Sequence, residues 1–368
     1  MPVASSKWRL MSIFKKSIQT ETSDAMVIEI FSRFGKAALL ALLIFTGPAI
    51  YTQAQVIKGS VVDSETGDPV SFASVYFSGT AVGTVAGEDG KFELDISRHP
   101  ALPLTISAVG YSSSTQEKFS PDKPLEIFLF PKVYEIPTID ISAASLEKER
   151  RNNLRIFRDH FLGRGIYSRS CEILNEEYIT FNYGSDTVKL KAIALKPLQV
   201  KNKALGYIIT FYLESFEYCR ETGIALYTGK FIFTDDRSRM SRNIKERRRN
   251  NAYLGSAMHF FRSLWANELK TEGFRVQDSQ GNNLSYEDIV ITEDGQKYLE
   301  SSGDLFISYT GINPRTGNFR LDRSPVRLLK NRVFFDESGY FDPVAIMLTG
   351  EMGKQRVADM LPIGFVPR

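Results

Sequence analysis

Residues 56–129 contain short alternating apolar segments separated by turn sequences, and this pattern restricts the fold more than any other feature. Phe92, Leu94 and Ile96 alternate with charged residues, as in a strand with one buried face. The same period of two recurs at Ala73–Phe77, Leu104–Ala108 and Leu125–Leu129, and Ile57–Asp63 is a further strand candidate. Turn residues rich in Gly, Asp and Pro lie between these segments. Several short strands joined by turns predict a β-sandwich.

Five motifs give this segment a family resemblance. In chain order they are Ile57–Asp63, Gly67–Val70, Ala73–Val75, Gly83–Thr84 with Gly87–Phe92, and Ser107–Tyr111. Their order and spacing resemble the carboxypeptidase-regulatory-like domain. The resemblance covers about a fifth of the chain and implies a seven-stranded, transthyretin-like (prealbumin-like) sandwich at residues 55–131. In bacteria of the Bacteroidetes type, such domains precede TonB-dependent receptors or occur on exported proteins of unknown role.

The resemblance is to an accessory module of carboxypeptidases and not to their zinc-binding catalytic domain. A zinc site of that type needs two histidines and a carboxylate that converge on the metal. His99, His160 and His259 are scattered and lack such spacing, so we expect them to be surface or packing residues. Acidic turn residues, among them Asp63 and Asp89, could chelate calcium, but we favour a role as turn caps. We therefore predict no metal and no cofactor.

Residues 1–54 have the features of an export signal. The apolar run Ala37–Phe45 follows Arg33 and Lys36, and small residues precede a cleavage point after Ala54. The run is shorter than the roughly 20 residues that a spanning helix requires, although an uncleaved anchor is the alternative. Met26 is a plausible true start of translation. The pattern predicts export to the periplasm or to the outer membrane.

Residues 147–368 predict an α+β domain that follows a linker at 132–146. Leu154, Phe157 and Phe161 have helical spacing. Strand-like runs follow at 178–183, 188–195, 205–218 and 225–234, and two apolar faces on the longest predict a sheet covered on both sides. Segment 237–270 predicts a long amphipathic helix. The predicted fold class is mainly β: the sandwich, then an α+β domain with an antiparallel sheet and a long amphipathic helix.

The basic half of segment 237–270 is the candidate binding surface. Its members are Arg242, Lys245, Arg247, Arg248 and Arg249. One interpretation is a solvated helix face behind a packed apolar stripe, and the other is a contact with an anionic surface such as lipopolysaccharide phosphate, an acidic glycan or an acidic protein. Export and a formal net charge of only +3 argue against nucleic acid.

The two cysteines allow two interpretations. An oxidising compartment permits a disulfide between Cys171 and Cys219. The alternative is two separate buried thiols, because one pair without a spacing motif does not define a bridge.

The sequence contains no Gly-x-Ser-x-Gly elbow and no phosphate-binding loop. We therefore predict a non-enzymatic exported envelope protein that binds a protein or glycan partner; the sequence does not indicate its oligomeric state. One alternative is a hydrolase of envelope or extracellular polymers, which needs convergent carboxylates, or a nucleophile and base, in a cleft. The other is a small outer-membrane barrel, which needs about eight strands with an apolar outer band. The region behind the sandwich also resembles exported Bacteroidetes proteins, but this resemblance implies no activity.

Overall fold

The N-terminal segment forms two sheets that enclose one apolar core. The computed structural model describes residues 55–97, 102–132, 143–182, 188–237, 240–312 and 317–368. The strands of the sandwich are β1 Val56–Asp63, β2 Ser74–Phe77, β3 Gly83–Val85, β4 Lys91–Asp95, β5 Leu104–Ser107, β6 Ser114–Gln116 and β7 Leu125–Leu129. One sheet has the order β4-β1-β7 and the other β3-β2-β5-β6. The predicted seven-stranded sandwich and the mainly β fold class are confirmed.

The sandwich core follows the predicted alternation except at β5. Phe92, Leu94 and Ile96 are each at most 5% exposed, while the charged residues between them face solvent. In β5 all four residues are buried, including Thr105 and Ser107, which were expected to be on an exposed face. These polar side chains are buried because the next sheet of the chain covers that face.

The middle of the chain forms a six-stranded antiparallel sheet. Its elements are α1 Ala143–Phe161, β8 Cys171–Ile173, β9 Ile179–Phe181, β10 Lys189–Ala194, β11 Leu198–Asn202, β12 Tyr207–Cys219 and β13 Ala225–Asp235, with short 3₁₀ turns at Ser168–Ser170 and Glu176–Tyr178. The order is β8-β11-β12-β10-β9, and β13 pairs along the other edge of β12. Helix α1 begins inside the segment predicted as a linker.

Both faces of this middle sheet are covered, as the two apolar faces of β12 predicted. On one face, the ring of Phe157 in α1 lies 4.6 Å from that of Phe216. On the other face, the ring of Tyr212 stacks on Tyr76 of the sandwich at 5.6 Å between centroids, and its hydroxyl donates to Ser74 Oγ at 2.7 Å. The sandwich therefore serves as the second cover of the middle sheet.

The turn after β2 also pairs with the edge strand β13. The N–H of Gly79 donates to the carbonyl of Phe231 at 2.8 Å, and the N–H of Phe233 donates to Thr80 at 2.8 Å. These main-chain bonds satisfy a strand edge that would otherwise be exposed. Residues 55–368 form one compact unit, so the described parts of the two predicted domains share an interface.

Segment 237–270 forms two helices, where one long helix was predicted. They are α2 Arg242–Tyr253 and α3 Ala257–Trp265. Gly255 lies between them with φ +76°, a conformation that favours glycine. A Cβ atom there would lie 2.7 Å from both Arg320 and Tyr309 side-chain atoms. The next residue, Ser256, caps α3 by accepting from the N–H of His259 at 3.1 Å.

The C-terminal part builds a third core around α3. Its elements are β14 Phe274–Gln277, β15 Asn283–Leu284, α4 Tyr286–Ile289, β16 Val290–Glu293, β17 Gln296–Glu300, β18 Leu305–Ile312, β19 Phe319–Leu328, β20 Arg332–Phe335, β21 Ile346–Leu348, α5 Gly350–Lys354 and a 3₁₀ turn at Val357–Asp359. They form a five-stranded sheet, β15-β14-β18-β19-β21, and a three-stranded sheet, β16-β17-β20. Phe260, Phe261 and Leu264 of α3 are fully buried in this core.

The C-terminal segment joins the three cores. Val357 is fully buried in the core of the middle sheet, whereas Ile363 packs into the sandwich core. The guanidinium of Arg262 in α3 donates to the carbonyls of Ile363 and Phe365, both at 2.7 Å. Among the residues with described structure, no helix has the length and apolar content needed to cross a membrane.

The predicted export signal at residues 1–54, its start at Met26 and His99 lie outside the described residues, as does most of the predicted linker.

Candidate functional site

Three of the five basic residues predicted as an anionic contact have internal partners. Arg248 and Arg249 donate to carbonyls of the β11–β12 turn (residues 203–206) at 3.4 and 2.8 Å. Lys245 donates to the main-chain carbonyl of Asp236 at 2.8 Å. These side chains therefore hold α2 against the end of the middle sheet, which neither interpretation of the sequence anticipated.

The two remaining basic residues are exposed on α2. Arg242 donates to Glu246 at 2.8 Å, and the same carboxylate accepts from Arg368 at 2.8 Å. Arg247 faces solvent. Arg242 and Arg368, together with Asp235 and other acidic residues, line a cleft of about 670 Å³ next to α2. Anionic contact on α2 stays a prediction, with Arg242 and Arg247 as its exposed members.

His259 lies close to a carboxylate, but its geometry is that of a packing residue. The side chain is 2% exposed, and burial lowers its pKa. Nδ1 accepts from the N–H of Gly255 at 3.1 Å, and Nε2 lies 3.0 Å from Glu272 Oε2. Since both ring nitrogens have partners, neither is available to bind a metal or to act as a base. His160 packs its ring 4.4 Å from that of Tyr218.

Cys171 and Cys219 are separate free thiols, which agrees with the second of the two interpretations and not with a disulfide. Cys171 in β8 lies opposite Asn202 in β11, and Asn202 lies opposite Tyr207, the first residue of β12. Cys219 is the last residue of β12, at the far end of that strand. A strand of this length spans about 40 Å, and a disulfide requires Cα atoms within about 7 Å. Burial raises the pKa of Cys171 to about 12, and nearby Asp359 acts in the same direction.

The acidic turn of the sandwich uses its carboxylate within the fold. Asp63 Oδ1 accepts from the N–H groups of Glu65 and Thr66 at 2.7 and 3.0 Å, and Oδ2 accepts from the hydroxyl of Tyr111 at 2.8 Å. The hydrogen bond from Thr66 is the largest cause of a lowered pKa at Asp63. No group of three or more His, Cys, Asp or Glu that could hold a metal occurs within the described ranges.

The open face of the five-stranded sheet carries a concave surface. The opposite face, with Phe274, Ile307 and Val326, packs on α3. On the open face the turn after β14 and helix α4 form a wall, which gives a groove of about 1140 Å³ that we call the sheet groove. Phe306 and Leu321 line it and are 40% and 57% exposed.

Cationic side chains accompany these apolar residues. Lys270, Arg275 and Arg323 line the sheet groove, and their side chains have no hydrogen-bond, ion-pair or ring partner within the described residues. Asp278 is the acidic member of the lining, and its carboxylate accepts from two N–H groups of its own turn and from Asn282. The groove thus combines exposed apolar surface with an excess of unpaired positive charge.

Sequence reasoning missed the sheet groove. Ser308 of β18 lies between Arg323 of the following strand, β19, and Arg275 of β14, which is 33 positions earlier in the chain. Burial alternates along β19, but the sequence contains no signal of it, because Asp322 and Ser324 are buried while Leu321 is exposed. Alternation identifies a face, but it does not identify the strands that share that face.

Comparison with known proteins agrees with the fold of the N-terminal part. Residues 57–132 match the family model of the CarboxypepD_reg-like domain. No curated protein matches the chain. The match and the two-sheet architecture together show that the N-terminal part is a β-sandwich of this type, and they assign nothing to residues 143–368.

Proposed function

We propose that this chain is an exported, non-enzymatic protein of a bacterial envelope that binds a partner through the sheet groove. This proposal rests on the sheet groove, where Phe306, Leu321 and arginines with unpaired side chains are exposed on one face of the sheet. An apolar surface rimmed by polar and charged groups is typical of an interaction site. The CarboxypepD_reg-like sandwich, which covers the middle sheet, is consistent with a non-catalytic module.

The lining of the sheet groove supports binding in preference to hydrolysis. Glycoside hydrolysis uses two carboxyl groups about 5–10 Å apart. Among the described residues that line the groove, Asp278 is the carboxylate, and its own turn holds it. His259, the histidine with a carboxylate partner, is buried behind the sheet with both nitrogens engaged.

The export part of the proposal is supported by the basic flank, the apolar run and the cleavage pattern of residues 33–54. We expect the protein from the envelope fraction to begin at Gln55, which N-terminal sequencing measures. A cytosolic protein that retains the first 54 residues would contradict export.

Site-specific photo-crosslinking in the native cell tests the binding part. A benzophenone amino acid replaces Leu321 in the sheet groove, and a control variant carries it at Leu226, which is 67% exposed on β13. We expect a discrete adduct from position 321 and none from position 226, and mass spectrometry of the adduct identifies the partner. The same adducts from both positions, or none from either, would contradict binding at this face.

A further inference from the structure

Two arginines and a serine form one cross-strand row on the floor of the sheet groove. Arg275 in β14 pairs with Ser308 in β18, and Ser308 pairs with Arg323 in β19. Neighbouring strands lie about 4.8 Å apart, so the arginine Cα atoms are separated by about 10 Å. Residues paired across strands point to the same face. The two arginine side chains therefore rise from the same face of the sheet, one on each side of Ser308.

This row has no counter-charge within the described residues. Neither arginine side chain has a partner there, and Lys270 adds a third cation to the same lining. Asp278 balances one of the three charges, so the lining has a net charge of about +2. Guanidinium groups bind carboxylates and other planar or tetrahedral oxyanions in a fork geometry. The row fits one anionic group of a ligand.

Apolar residues lie on both sides of the row. Two positions along the strands in one direction, Phe306 pairs with Pro325, and two positions in the other direction, Thr310 pairs with Leu321. Positions two apart in a strand are about 6.7 Å apart. An extended peptide laid along the strands presents every second side chain to the groove at this same spacing. The pattern that matches the three rows is apolar, acidic, apolar.

We propose that the sheet groove recognises an extended segment of a partner protein that alternates apolar and acidic side chains. This inference rests on the proposed function and adds the chemistry of the partner. The carboxylate of the partner binds between Arg275 and Arg323, and its flanking apolar side chains bury Phe306 and Leu321. An acidic glycan fits less well, because sugar hydroxyls packed against the aliphatic side chains of Leu321 and Pro325 would find no hydrogen-bond partner.

A displayed peptide library tests this chemistry on the purified protein. The probe is the nonamer Ser-Gly-X-Thr-X-Thr-X-Gly-Ser, varied at its three alternating positions. The test variant is R275Q/R323Q, and the matched control is R242Q/R247Q, which removes the same charge from the exposed face of α2. Each protein is used for selection, and sequencing gives the enrichment at the central position.

We expect the unmodified protein to enrich Asp and Glu over Asn and Gln at the centre by tenfold or more, with apolar residues on both sides. R275Q/R323Q should lose the acidic preference and keep the apolar one, which also shows that it is folded, and R242Q/R247Q should behave like the parent. No acidic enrichment, or its loss in R242Q/R247Q alone, would overturn the inference. So would displacement of selected peptides by polygalacturonate at lower concentration than by free peptide, since this would assign the row to a glycan.

The peptide selection and the photo-crosslinking fail in different ways. A partner crosslinked at Leu321 without any acidic preference in the selection leaves the proposed function intact and removes only the charge-based inference. Absence of a position-specific adduct removes the proposed function itself.

Discussion

Arg249 should stabilise the fold, although the sequence presents it as part of a basic surface. Its side chain is 16% exposed. It donates to the carbonyls of Leu205 and Gly206 at 2.8 and 3.2 Å and stacks 3.8 Å above the ring of Tyr207. The Arg249→Ala substitution removes all of these contacts at the junction of α2 with the middle sheet.

The cost of this substitution follows from the contacts. A hydrogen bond from a charged donor contributes about 1.5 kcal/mol or more, and a partly buried cation–π contact contributes about 0.5–1 kcal/mol. The ion pair with Asp235 adds little, because that carboxylate is 77% exposed. We expect Arg249→Ala to lower the free energy of unfolding by about 3–4 kcal/mol, and the Tm by roughly 5 °C for a chain of this size.

Urea unfolding followed by circular dichroism measures this loss, with Arg247→Ala as the matched control. Arg247 belongs to the same helix and is exposed, so its replacement should change stability by less than about 0.5 kcal/mol. Equal stability of the two variants would refute the structural role of Arg249 and would return its guanidinium to the candidates for anion binding.

Three further predictions concern buried or half-buried groups. Burial raises the pKa of Asp359 to about 6; the folded state therefore binds the proton more tightly than the unfolded state, and this group destabilises the fold increasingly as pH rises from about 4 to above 6. Asp359→Asn should gain up to about 3 kcal/mol at pH 7 and little at pH 4, and urea titrations that give equal gains at both pH values would contradict this. Tyr212→Phe removes the bond to Ser74 Oγ and should cost about 1 kcal/mol, so an unchanged urea midpoint would remove this bond from the contacts between sandwich and middle sheet. Iodoacetamide should modify Cys219, whose pKa a Thr222 hydrogen bond lowers, before Cys171, whose pKa burial raises to about 12; mass spectrometry of the native protein reads this order, and the reverse order would count against it.

Local patterns were sufficient for individual elements. The alternation of Phe92, Leu94 and Ile96 predicted β4, and the helical spacing of Leu154, Phe157 and Phe161 predicted α1, because both patterns depend on positions only two to four residues apart. The two apolar faces of β12 even predicted that both sides of its sheet are covered. The sequence did not identify the sandwich as one of the two covers.

The candidate site could not be predicted in the same way. Arg249 looked like a surface residue because its partners, Leu205 and Gly206, are more than 40 positions away. The break between α2 and α3 was missed because glycine is tolerated inside many helices. Here the side chains of Tyr309 and Arg320 approach Gly255 so closely that no residue with a Cβ fits.

The sequence by itself determined several of the strands, among them β4 and β12, and which residues carry positive charge. Through its family resemblance it also implied the seven-stranded sandwich. Only the tertiary structure decided which charges remain free. Arg275 and Arg323 are 48 positions apart in the chain, and the pairing of β14, β18 and β19 brings them into one row. Register between distant strands depends on packing against a shared core, so no local pattern of residues contains it.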